Sequence, residues 1–220
     1  MTANIKFEHP ALASKRAIIF DLDNTIYPVS SIGDKLFKSL FQLIVENGEY
    51  TGDFDEIKGE IMRRPFQFVA DDFSFSENLK SDCLKLFLDL TYDEPIDPFD
   101  DYKYVRKLQG IKFLVTTGFT KLQNSKIRQL NIEKDFLEIY IIDPIQSKLT
   151  KKDIFLKLLI DYRLKVHEVL VVGDDLNSEI KAANDLGIDA ILYDCESKHT
   201  GIENQKTISS FKDLRLANWH

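Results

Sequence analysis

The sequence predicts an α/β protein built on a doubly wound parallel sheet, with a block of helices inserted after the first strand. Three observations carry that prediction. Short, near-continuous apolar runs recur along the chain, and each stops at a turn bearing carboxylates or hydroxyls. Stripes of helical period lie between them. One long interval, between Thr25 and Gly110, holds helical stripes and no convincing strand pattern.

Ala17–Phe20 is the first apolar run, and it stops at Asp21. The interval that follows carries one stripe of Leu36, Phe37, Leu40, Phe41 and Ile44 and a second of Leu79, Cys83, Leu86, Phe87 and Leu90. An aromatic-rich segment with Phe66, Phe68, Phe73 and Phe75 lies between them. A connection this long is uncommon without structure of its own, so it reads as a small helical domain. Asp97 or Asp100 is the expected start of the helix leading back to the sheet. Ile111–Val115 then stops at Thr116-Thr117-Gly118, and Ile139–Ile142 stops at Asp143-Pro144. Ile154, Phe155, Leu158 and Leu159 make one helical stripe. Val169–Val172 stops at Gly173-Asp174-Asp175. Ile180, Ala183 and Leu186 form a short helix closed by Gly187, and Ala190–Tyr193 stops at Asp194.

Apolar runs of four or five residues suit strands buried on both faces. Their alternation with helices implies a Rossmann-like sheet whose ligands lie at the carboxyl ends of the strands. The polar residues just named all fall at that edge. The expected division is a core of residues 1–25 and 111–220, with residues 26–110 as the helical insertion and its returning linker.

At 220 residues the chain is about one and a half times a usual ~150-residue domain, which favours one domain with an insertion. Folding at this size buries roughly 70% of the chain's surface without a disulfide or metal staple. Hydrophobic residues at 44% and charged residues at 30% exclude a disordered chain. With 36 acidic against 29 basic residues the formal charge is -7, which excludes a general attraction to nucleic acid or anionic membrane. Cys83 and Cys195 supply neither a disulfide framework nor a CxxC pair. Met1–Pro10 has no apolar core of signal-peptide length, and no run approaches the ~20 residues of a membrane span. A soluble, cytoplasmic protein is expected. His9, His167, His199 and His220 show no ligand spacing, and Trp219 stands near the terminus. The absence of GxGxxG and GxxxxGK[ST] removes the usual dinucleotide and P-loop readings.

Chemistry concentrates at Asp21-Leu22-Asp23-Asn24-Thr25, directly after the first buried strand. Two carboxylates two residues apart can converge on one cation or one reacting centre once the chain stops being extended. Mg²⁺ takes octahedral oxygen coordination, usually from one or two carboxylates with phosphate oxygens and water. The Asp-x-Asp pattern gains meaning from its companions, Thr116-Thr117-Gly118 and Gly173-Asp174-Asp175 at two other strand ends and lysines near position 150.

These residues resemble the haloacid dehalogenase superfamily of phosphohydrolases. Phe20–Thr25 looks like its first motif, DxDxT, Val115-Thr116-Thr117 like its second, a lysine near 150 like its third, and Val172–Asp175 like its fourth. The resemblance implies that Asp21 is the nucleophile, forming an aspartyl-phosphate, and that Asp23 is the general acid and then base. It implies that Thr116, with nearby backbone N–H groups and Thr117, holds the phosphoryl oxygens, and that a lysine balances their charge. Mg²⁺ is implied on Asp174, the Asp21 side chain and the Asp23 backbone carbonyl, with Thr25 stabilising the turn and orienting Asp23. The lysine is Lys148, Lys151 or Lys152. Counting back from Asp174, the spacing of family phosphatases without a Lys-Pro pair favours Lys151, whereas the Lys-Pro spacing falls at Leu149, nearest Lys148. Glu179 either supports that lysine or the metal's water shell, or is an exposed helix acid; Asp175 has no assigned role.

An acid at position 23 argues against carbon–halogen cleavage, because no leaving oxygen there needs a proton. The insertion matches the family's helical cap, in which Arg63, Arg64 and nearby phenylalanines either line a pocket or form cap core and surface. Ile26-Tyr27-Pro28 resembles a turn of the nucleotidase-like branch. The implied function is a Mg²⁺-dependent phosphatase acting on a small phosphorylated metabolite, a sugar phosphate or nucleoside monophosphate. A phosphotransferase or mutase shares the machinery. A phospho-aspartate signalling domain is about half this length and lacks the insertion, and a non-catalytic scaffold does not need all four motifs filled.

Overall fold

The computed structural model describes residues 15–199 and 205–214; Met1–Pro10 with His9, and Trp219 and His220, lie outside them. The strands are β1 (Ala17–Phe20), β2 (Ile111–Thr117), β3 (Glu138–Ile142), β4 (Val169–Gly173), β5 (Asp189–Tyr193) and β6 (Thr207–Ile208). All pair in parallel, in the order β3-β2-β1-β4-β5-β6. The five strands expected from apolar runs are present. The two-residue β6 is too short to leave such a run and was not anticipated.

Alternating side chains feed the two faces of the sheet. Ala17, Ile19, Phe113, Val115 and Val171 pack with Phe155 and Leu158 of α8 (Lys151–Asp161) and Ala183 of α9 (Glu179–Asn184). Ile18, Phe20, Leu114, Leu170 and Val172 pack with Ile127 and Leu130 of α7 (Thr120–Leu130) and Tyr102 and Val105 of α6 (Tyr102–Lys107). Helices on both faces explain why β1 and β4 are buried along their whole length. β3, on the sheet edge, leaves Ile139, Tyr140 and Ile141 half-buried.

The insertion folds as α1 (Ser30–Leu36), α2 (Lys38–Asn47), α3 (Phe54–Ile61), α4 (Phe66–Asp72) and α5 (Glu77–Asp89). The first stripe is buried as expected, but the chain bends at Phe37, which separates α1 from α2. The second stripe buries Leu79, Cys83 and Phe87 and leaves Leu86 exposed. Phe66 and Phe37 both pack on Phe87, whereas Phe68 is 61% exposed and takes no part in the core. Asp53 caps α3 and Ser76 caps α5, each accepting backbone N–H bonds. Neither Asp97 nor Asp100 starts the returning helix. It begins at Tyr102, and Asp101 instead accepts from the Tyr193 hydroxyl and Phe211 N–H, tying α6 to the core. No helix among the described residues is long and apolar enough to cross a membrane.

Register sets the active edge. Phe20 stands level with Leu114 and Val172, so Asp21, Thr116 and Asp174 leave the sheet close together. The chain leaves β1 for β2 on one side and reaches β4 on the other, so Asp21 sits at the topological switch point where open α/β sheets bind ligands.

Candidate active site

The loop after β1 separates the two carboxylates of Asp-x-Asp. Asp21 keeps sheet pairing, its N–H donating to Val172 at 3.0 Å. The chain then turns tightly, with Thr25 and Ile26 N–H groups returning to the Leu22 carbonyl. Asn24 takes a left-handed φ of 57°, a conformation Asn tolerates better than most residues. Asp21 and Asp23 consequently enter different surroundings.

Asp21 Oδ1 accepts from Lys151 Nζ at 2.6 Å, and the same ammonium donates to Glu179 Oε2 at 2.6 Å. All three side chains are buried. Thr150 and Asp153 form a capping box that starts α8 on Lys151, and so aim this lysine at the sheet edge. Lys148 and Lys152 are exposed. Glu179 is no surface acid: its Oε1 accepts from the Asp175 N–H at 2.7 Å while Oε2 holds Lys151. Asp21, Asp174 and Glu179 bring carboxylate oxygens within 4.8 Å of one another. The Thr25 hydroxyl donates to Asp174 at 3.2 Å and so ties the first motif to the fourth, while its N–H closes the turn that carries Asp23.

Asp23 contributes no carboxylate to that cluster. Its Oδ1 accepts from Tyr27 Oη at 2.6 Å and Lys126 Nζ at 2.9 Å, and its Oδ2 from Gln123 Nε2 at 2.8 Å. Gln123 Nε2 also reaches Thr116 Oγ1 at 2.7 Å. Thr117, by contrast, is half-buried at the strand end. Gln123 and Lys126 escaped the sequence reading. Their signal is a polar pair three residues apart on the helix after the second motif, beside the apolar Leu122 and Ile127.

Burial, with Glu179 and Asp23 beside it, pushes the Asp21 carboxyl up to about 7 against the pull of Lys151. Burial and the neighbouring Glu179 and Asp21 charges raise Asp174 well above the usual carboxylate range. Burial opposes charge on Lys151, yet Asp21 and Glu179 together hold its ammonium above its ordinary value. Burial likewise opposes charge on Asp23, but Lys126, then Tyr27 and Gln123, hold its carboxyl below its ordinary value. With all three crowded carboxylates ionised against one ammonium, the cluster would carry about two negative charges in excess, which is why burial raises Asp21 and Asp174. An all-oxygen set with that surplus fits a hard divalent cation.

Gly173 makes the crowding possible. A Cβ there would stand 2.2 Å from Glu179 Oε1 and 2.3 Å from its Cγ. Glu179 cannot step aside, because Lys151 and the Asp175 N–H hold it in a buried slot. Gly173→Ala is therefore expected to destabilise the protein by about 1–3 kcal/mol, read as a lower urea midpoint at unchanged slope. An unchanged midpoint would show that Glu179 is free to move.

A cavity of about 190 Å³ opens over Asp174, lined by Arg63, Asp174, Asp175, Lys198 and His199. Arg63 is also bound to Glu60, and Arg64 is drawn away to Glu60 and Asp72. Phe66 and Phe75 lie in the core of the helical insertion. The Asp194 carboxylate shapes the rim by accepting from the Lys198 and His199 N–H groups.

A family model described as haloacid dehalogenase-like hydrolase matches residues 15–187, most of the chain and all four motif positions. The chain belongs to the haloacid dehalogenase-like hydrolases. It is 24% identical to a glyceraldehyde 3-phosphate phosphatase of Methanopyrus kandleri, over 79% of this chain and 81% of that protein. It is 25% identical to the pyrimidine 5'-nucleotidase PynA of Streptococcus pneumoniae, over 46% of this chain and 44% of that protein. Among solved structures it resembles the HAD-hydrolase YfnB of Bacillus subtilis, which was crystallised bound to magnesium. That likeness has a TM-score of 0.62 at 16% identity and covers 91% of this chain and 96% of YfnB. Such a likeness carries the fold, and the Rossmann-like core expected of the family is the sheet observed here.

Proposed function

We propose that this haloacid dehalogenase-like hydrolase is a Mg²⁺-dependent phosphatase that cleaves a small phosphorylated metabolite through an aspartyl-phosphate on Asp21. The observation that carries this reading is the separation of two carboxylates within one motif. Asp21 lies in the acidic cluster against Lys151, and Asp23 lies in a cage of donors across the loop. Asp21 has the environment of a nucleophile beside a cation, and Asp23 that of a fixed proton carrier.

Asp21 Oδ1 is held by Lys151, which leaves Oδ2 to attack phosphorus. As the Asp21 O–P bond forms, the bond from phosphorus to the departing oxygen breaks, and that oxygen takes a proton from Asp23. Asp23 enters this step in its protonated form, although its donors favour the ionised form in the free protein. Asp23 then removes a proton from water as its oxygen attacks phosphorus. The Asp21 O–P bond breaks, releasing phosphate, freeing the Asp21 carboxylate and leaving Asp23 protonated as it began. Lys151, the Thr116 hydroxyl and backbone N–H groups at the strand ends stabilise the phosphoryl oxygens, with Thr117 at the same edge. Asp21, Asp174 and the Asp23 carbonyl would hold Mg²⁺, which supplies the charge neutralisation an anionic nucleophile needs against an anionic substrate. The magnesium in YfnB supports that choice of cation.

We take α1–α5 as a cap over the site and α6 as the return to the core, so that Arg63 enters the cavity from the cap side. The two named relatives point to a sugar phosphate or a nucleoside monophosphate. Two free thiols, Cys83 and Cys195, suit a reducing, cytoplasmic setting.

Steady-state hydrolysis of 4-nitrophenyl phosphate tests the reading. Multiple turnover with Mg²⁺, falling by at least about 10²-fold in chelator, is expected. Labelling of the protein once without turnover would instead favour a phospho-aspartate signalling module.

A further inference from the structure

α7 places two polar side chains, Gln123 and Lys126, three residues apart on one face, and both are buried, at 1% and 3% exposure. A buried amide and a buried ammonium persist only with partners. Here both find the same one, Asp23. Gly118 lets Gln123 pass beneath the strand end, since a Cβ at that position would stand 2.9 Å from its Cδ. Both residues lie outside the four motifs, and among the described residues their side chains hydrogen-bond to Asp23 and Thr116 and not to Asp21, Asp174 or Glu179.

The cage restricts Asp23 to one configuration. A carboxylate offers about four lone-pair sites. Tyr27 and Lys126 fill both sites on Oδ1, and Gln123 fills one on Oδ2, so among the described residues one site on Oδ2 stays open. Gln123 also occupies an acceptor site on Thr116 Oγ1, which leaves that hydroxyl's proton to be donated elsewhere. One amide thus sets both the proton carrier and a phosphoryl-binding hydroxyl.

We propose that Lys126 and Gln123 are positioning residues for the phosphatase reaction: they lock Asp23 so that a single lone pair of Oδ2 exchanges the proton, and they hold it in register with Thr116. The inference rests on the phosphatase reading. In the first step the open Oδ2 site gives its proton to the departing oxygen; in the second it receives one from water.

The test compares kcat/KM for phenyl phosphate and 4-nitrophenyl phosphate, esters of similar size, in the wild type, Lys126→Met, Gln123→Leu and Asp21→Asn. Phenoxide is the more basic leaving group and depends more on protonation. Lys126→Met is expected to lower kcat/KM about 10²-fold on phenyl phosphate and less than about 10-fold on the nitrophenyl ester. It should also produce a pre-steady-state burst of 4-nitrophenol, because Asp23 no longer serves the second step. Gln123→Leu, which leaves the Lys126–Asp23 pair intact, is expected to show the same selectivity at smaller amplitude, and covers the case in which Lys126→Met does not fold. Equal losses on both esters, or unchanged kinetics in Gln123→Leu, would overturn the positioning role. Wild-type turnover that survives Asp21→Asn would overturn the phosphatase reading itself, and the inference with it.

Discussion

Asp21→Asn is expected to lower turnover by at least about 10⁴-fold, while in chelator at pH 8 the variant melts no lower than the wild type. An amide oxygen does not form the phosphoryl-enzyme, so the activity loss follows from the chemistry. The stability result follows from the crowding. A carboxyl pushed up to about 7 by burial and by Glu179 binds its proton more tightly folded than unfolded. Its contribution is therefore fully present below the unfolded value near 4, and is lost as pH rises through about 7. Asn removes that slope, so the difference in melting temperature should shrink as pH is lowered towards 5. Adding Mg²⁺ should reverse the order, because the wild type gains the larger stabilisation from a ligand that binds only the folded state. Calorimetry at two pH values, with chelator and with Mg²⁺, reads all of this. A variant less stable than the wild type under every condition would show that Asp21 is not crowded.

The second large effect is at Lys151. Lys151→Met leaves Asp21 and Glu179 buried without their shared ammonium. Breaking a buried pair in this way costs about 3–5 kcal/mol, well above the usual effect of a surface charge. Loss of its charge at the phosphoryl group should also lower kcat by about 10²–10³-fold. Adding Glu179→Gln removes one orphaned carboxylate, so the double variant should regain about 1–2 kcal/mol in urea unfolding while its kcat stays low. A double variant that recovered activity along with stability would make Lys151 a structural residue only.

Much of the site was legible because it sits where strand patterns stop. Asp21, Thr116 and Asp174 each follow a buried apolar run, and parallel strands in register deliver their ends to one edge. The choice among three lysines was legible in principle. Thr150 and Asp153 stand at capping-box spacing, and a helix that starts on Lys151 presents that residue while Lys148 and Lys152 stay in solvent. Glu179 was only half legible, since its burial depends on Gly173 leaving room beside it.

By itself the sequence determined the order of strands and helices, the helical insertion and the acids at the sheet edge, because these rest on local periodicity and on where apolar runs end. Only the tertiary structure decided that Asp21 and Asp23 part company, that Thr25 serves Asp174, and that Gln123 and Lys126 enclose Asp23. Those outcomes depend on contacts far apart in the chain, such as Lys126 with Asp23 across 103 residues and Thr25 with Asp174 across 149. A buried polar group's partner is chosen by what packing brings within hydrogen-bond reach, and spacing along the chain does not record that distance.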